Sequence, residues 1–79
     1  MMQTILLADD HPMFRQGLRA LLEREGFDVV GEASDGHEAV RMSRQLNPSI
    51  AVLDIGMPLL NGIDAARDIH KQASDTEVV

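Results

Sequence analysis

The stretch TILLADDHP (residues 4–12) sets an apolar run directly against two aspartates, a histidine and a proline. Thr4 to Ala8 has the form of a strand buried on both faces of a parallel sheet, and Pro12 suits the first turn of a helix. The junction between strand and helix therefore carries two adjacent carboxylates. Two unit charges about 4 Å apart near a protein surface repel by roughly 4 kcal/mol at an effective dielectric of about 20. Asp9 and Asp10 must separate, take up a cation or tolerate that repulsion.

Downstream, Phe14, Leu18, Leu21 and Leu22 recur at helical spacing until Gly26, which predicts a helix from Pro12 to Glu25 with its leucines in the core. Its arginines, Arg15, Arg19 and Arg24, read as solvated. Phe27 to Ala33 (FDVVGEA) is a second strand, less cleanly apolar and so nearer a sheet edge. Asp35-Gly36-His37-Glu38 has capping-box spacing and starts a helix from Gly36 to Leu46, which Asn47-Pro48 ends. Ile50 to Leu53 is a third buried strand closed by Asp54. Asn61 can cap a helix from Gly62 to Gln72, and Thr76 to Val79 opens a fourth strand. Alternating strands and helices mean an α/β fold with a parallel sheet and helices on both faces. The expected architecture is flavodoxin-like and doubly wound, with order 2-1-3-4-5 in its complete form. This chain holds the first three βα units and the start of the fourth strand.

The chain has 79 residues, enough for one small domain (1–79), and such a domain buries only about 60 to 65% of its unfolded surface. Thirteen acidic against seven basic residues give a net charge of −6, which opposes nucleic-acid binding by this segment because the phosphate backbone rewards lysine and arginine. With two phenylalanines and neither tryptophan nor tyrosine, no aromatic platform for bases exists. Cysteine is absent, so neither a disulfide framework nor a thiolate metal site is available. The opening Met1-Met2-Gln3-Thr4 lacks the basic region of a signal peptide, and no apolar run approaches the ~20 residues that span a bilayer. A cytoplasmic location without membrane contact is expected, with a cation or a protein as partner.

In an open parallel sheet, ligands bind beyond the carboxyl ends of the strands where strand order reverses. If the first and third strands flank that point, Asp9, Asp10 and Asp54 share one rim. Acids at a helix N-terminus gain only about 0.3 to 1 kcal/mol from its dipole, whereas three converging carboxylates must keep a proton or admit a cation. Oxygen donors suit a hard ion, and Mg²⁺ takes one or two carboxylates while sharing phosphate oxygens. Asp54, alone at its strand end, is the best nucleophile for attack on a phosphoryl group. Gly56 leaves room for a backbone carbonyl to face the ion, and Pro58 and Gly62 shape the loop. His11, His37 and His70 show no i, i+4 pairing and read as surface residues, not ligands.

The stretches LLADDHPMFRQGLRALL (6–22) and VLDIGMPLLNG (52–62), with Asp-(x)3-Pro-(x)3-Gly in the second, resemble the receiver domain of bacterial two-component response regulators, particularly the subfamily with a helix-turn-helix output domain. The resemblance implies that Asp54 accepts a phosphoryl group from a sensor histidine kinase or phosphotransfer protein. It also implies that Asp9, Asp10 and Asp54 hold Mg²⁺ with the Gly56 carbonyl, and that the first helix is part of the kinase-docking surface. Family members are longer: a Ser or Thr ending the fourth strand and a Lys ending the fifth contact the phosphoryl group, and a separate output domain binds DNA. Neither residue lies within this sequence, so a C-terminally truncated receiver is expected, with self-association through uncovered apolar faces. Two other readings compete. A fragment that only folds or dimerises is one; a Mg²⁺-dependent aspartyl phosphatase of the haloacid dehalogenase kind is the other, although that class carries Asp-x-Asp where this chain has adjacent aspartates. A Rossmann unit would need a glycine-rich first turn, and two aspartates there repel a pyrophosphate.

Overall fold

Four of the five residues of β1 (Thr4–Ala8) are buried, as a strand with neighbours on both edges and helices on both faces demands. The computed structural model, which describes residues 3–54, 57, 62–72 and 76–79, continues with α1 (Pro12–Arg24), β2 (Asp28–Ala33), α2 (Gly36–Leu46), β3 (Ile50–Leu53), α3 (Gly62–Gln72) and β4 (Glu77–Val78). All strand pairs are parallel, in the order β2-β1-β3-β4. This is the flavodoxin-like α/β architecture over the units the chain contains. Strand order reverses at β1, because the chain crosses to β2 through α1 and then back past β1 to β3 through α2.

The alternation of side chains along the strands divides the core in two. Ile5, Leu7 and Val29, with Ile50 and Val52, meet Leu18 and Leu22 of α1. On the opposite face Ala8 and Ala33 meet Ala39 and Met42 of α2, and Ala51 meets Ile69 of α3 and Val40 of α2. Small strand residues on that face let two helices approach closely. At Gly31 an added Cβ would sit 2.6 Å from Met42 Cε and 2.9 Å from Leu46 Cδ1, so only glycine admits α2 at this distance without repacking. The register slips beside it, Ile5 pairing with Val29 and Leu6 with Gly31, a bulge that leaves Val30 unpaired.

Local chemistry sets the element ends. Gly26 has φ +93; its amide donates to the Glu23 carbonyl, and that of Phe27 to Leu22, a Schellman motif that closes α1. The expected second strand therefore starts one residue late, since the Phe27 N–H is already committed. Asp35 accepts from the Glu38 amide at 2.8 Å, but Glu38 reaches past the cap to the Ser34 amide at 3.2 Å, so the capping box is shifted by one donor. Asn47, left-handed at φ 44, ends α2. Thr76 lies outside β4; its hydroxyl donates to the Pro48 carbonyl.

One expectation is corrected: α1 has no buried residue. Leu18 and Leu22 pack against the sheet, while Met13 is 86% exposed, Phe14 61% and Leu21 48%. The helix leans on β1 and β2, and among the described residues no second helix lies beside it over β3. A groove of about 230 Å³ runs there, lined by Leu7, Val52, Phe14 and Leu18 and ending at Asp9 and Asp54.

Candidate metal centre

Register builds the site. Ala8 of β1 pairs with Leu53 of β3, so the next residues, Asp9 and Asp54, leave adjacent strands side by side. The Asp54 amide donates to the Ala8 carbonyl at 2.9 Å, and the Asp9 amide to Ala33 at 3.0 Å, which fixes both backbones at the rim where strand order reverses. Asp10 follows in the turn. Side-chain exposures of 13% for Asp9, 31% for Asp10 and 29% for Asp54 leave the carboxylates accessible but poorly hydrated. One oxygen of each, together with a ring nitrogen of His11, lies within 4.8 Å of all the others.

The sequence reading assigned His11 to the surface. It is exposed, yet its ring turns back over the acids. Asp9 Oδ1 accepts from the His11 amide at 2.7 Å, an Asx-type turn, and that turn brings Nδ1 to 2.9 Å from the same oxygen. Nδ1 also lies 3.0 Å from Asp10 Oδ1 and 3.8 Å from Asp54 Oδ2. The hydrogen bond to Asp9, then the charge of Asp10, hold the imidazole above its ordinary 6.5. A protonated His11 thus offsets part of the repulsion when no metal is bound. The available signal was the Asp-x-His spacing ahead of Pro12. His37 and His70 are exposed, as expected.

Two arginines of α1 are not simply solvated. Arg15, with a side chain only 17% exposed, donates from Nε to Glu32 of β2 at 2.7 Å and from Nη1 to the Asp9 carbonyl at 2.6 Å. Arg19 donates to the other Glu32 oxygen. Together, Arg19 and then Arg15 hold the Glu32 carboxyl below its usual range. The sequence offered no local cue, because Glu32 is 17 residues from Arg15 and reaches it only through the pairing of β1 with β2.

This cluster could hold a metal ion. Asp10 Oδ1 is buried and accepts no hydrogen bond; the exposed His11 ring, 3.0 Å away, is a charged neighbour only when protonated, and a bound cation would satisfy the oxygen in its place. The donors are carboxylate oxygens with one optional imidazole, which fits a hard divalent ion. Gly62 opens α3. The expected roles of Gly56, Pro58 and the Asn61 cap lie outside the described residues. No helix among the described residues is long and apolar enough to cross a membrane.

Comparison with known proteins places these features in a family. LiaR of Bacillus subtilis (strain 168), a transcriptional regulatory protein, is 42% identical over 95% of this chain and 36% of its own length. A LuxR-family two-component response regulator from Aurantimonas sp. SI85-9A1 superposes with a TM-score of 0.92 at 40% identity, covering 99% of this chain and 56% of that one. The CheX-CheY-BeF3-Mg²⁺ complex from Borrelia burgdorferi gives a TM-score of 0.90 at 31% identity over 96% of this chain and 58% of the other. The chain therefore spans little more than a third of the regulator LiaR. The response regulator receiver domain profile matches residues 5–79, taking in both strand ends that carry the acids, and the chain belongs to that family.

Proposed function

We propose that this chain is a phosphorylation-dependent signalling switch in which Asp54 is the phosphoacceptor and Asp9, Asp10 and Asp54 hold Mg²⁺, aided by the Gly56 carbonyl. The observation that carries the reading is the Ala8–Leu53 register, which sets the Asp54 carboxylate beside two further acids at an accessible rim. The Mg²⁺ found with the related Borrelia burgdorferi CheY supports the choice of ion. When bound, the ion would offset the charge of the phosphoryl oxygens and of the acids. Asp54 would attack phosphorus in line; its oxygen–phosphorus bond forms as the phosphorus–nitrogen bond of a donor phosphohistidine breaks, and the imidazole leaves with a proton. The partner is then a sensor histidine kinase or phosphotransfer protein docking in part on α1, and the regulated output is transcription, through a separate DNA-binding domain. The role is regulatory, in the cytoplasm, without turnover of a small substrate.

Incubation with Mg²⁺ and a small acyl phosphate is expected to add one phosphoryl group by intact mass, removable by alkali and absent from Asp54→Asn. An adduct that survives the substitution, or no adduct on a version extended past Val79 to include the Ser or Thr and the Lys that the family resemblance implies, would exclude Asp54 as acceptor.

A second reading has its own support. Met13, Phe14 and Leu21 form an apolar surface with Leu18, which favours a role in self-association. Multi-angle light scattering is expected to find dimers or larger species whose fraction falls in Phe14→Glu; a monodisperse monomer removes this reading.

A further inference from the structure

We propose that Arg15 is a positioning residue for the acidic site: its guanidinium, braced by Glu32, fixes the peptide that joins Asp9 to Asp10 and thereby sets the cation affinity of the pocket. The inference rests on the metal-binding part of the function proposed above. Asp9 and Asp10 are consecutive, so their side chains depart in different directions, and the angle between them depends on the plane of the shared peptide. The carbonyl of that peptide accepts from Arg15 Nη1 at 2.6 Å. Arg15 cannot swing away, because its Nε is held by Glu32 at 2.7 Å, and Glu32 is held in turn by Arg19. The result is a strut from β2 through α1 to the rim of β1. Asp9 Oδ1 is fixed separately by the His11 amide, so the strut governs how Asp10 sits relative to Asp9.

The sign of the effect separates positioning from charge. Near three carboxylates a guanidinium competes with any cation, so on Coulomb grounds alone its removal tightens Mg²⁺ binding. A positioning role predicts the reverse, and loss of an outer partner of metal ligands typically weakens affinity by roughly 10–100-fold.

The test is calorimetric titration of the chain with MgCl2, each variant first matched to the parent by far-ultraviolet circular dichroism. Arg15→Gln is expected to bind Mg²⁺ about tenfold more weakly or worse, and Arg24→Gln, which removes a charge from the exposed end of the same helix, to stay within about twofold of the parent. Arg15→Lys keeps the charge but lacks the fork that spans Glu32 and the carbonyl, so it is expected to bind several-fold more weakly; it decides the matter if Arg15→Gln does not fold. Parent-like or tighter binding by the folded Arg15 variant overturns the proposal. A parent that takes up no Mg²⁺ removes the metal-binding reading itself, and the positioning role falls with it.

Discussion

Leu6→Ala is expected to remove about 3 kcal/mol of stability, within the roughly 2–5 kcal/mol typical of Leu→Ala in a packed core. Leu6 is fully buried, at the centre of the central strand, and its register partners are Gly31 and Ala51. Neither has a side chain able to fill the space. Met42 and Leu46 already converge on Gly31 from α2, and the flexible Met42 can fill the space only in part. For a chain of this length total stability is about 4–12 kcal/mol at typical per-residue values, so the loss is a large share of it. Urea unfolding followed by circular dichroism should show a much lower midpoint with an unchanged slope. A loss below about 1 kcal/mol would mean that the residue is not closely packed.

Most of the fold was legible because its signals are local. The apolar run Thr4–Ala8, Pro12, Gly26, the Asp35 cap and Asn47-Pro48 each act within a few residues, and the observed element bounds follow them closely. Phe27 missed its strand through the same local logic, since the Schellman motif claimed its amide. The convergence of Asp9, Asp10 and Asp54 was also readable, since it needs only strand order and the rule that acids at neighbouring strand ends meet. What escaped depends on distant pairing. Arg15 and Arg19 have helix-surface spacing, and only the approach of β2 under α1 brings Glu32 to them. Leu21 and Phe14 carry core periodicity, yet periodicity tells which face is apolar, not whether anything covers it. His11 lay between: its exposure was foreseen, its ring orientation was not.

The central claim is that three carboxylates meet closely enough to bind a divalent ion, and Asp10 is the member whose buried Oδ1 accepts no hydrogen bond, with the His11 ring 3.0 Å away. Asp10→Ala removes one of the proposed ligands while relieving repulsion. Because losing even an outer partner of a metal site weakens binding roughly 10–100-fold, losing a ligand should weaken it by about 100-fold or more. The apo variant should unfold at the same temperature as the parent or higher. The most direct measurement is the thermal midpoint of parent and Asp10→Ala in MgCl2 against NaCl of equal ionic strength, since an ion bound only by the folded state raises the midpoint by mass action. The expected result is a rise with MgCl2 but not NaCl in the parent, absent from Asp10→Ala at the same concentrations; equal response to the two salts, or an equal Mg²⁺ response in both proteins, would contradict the claim.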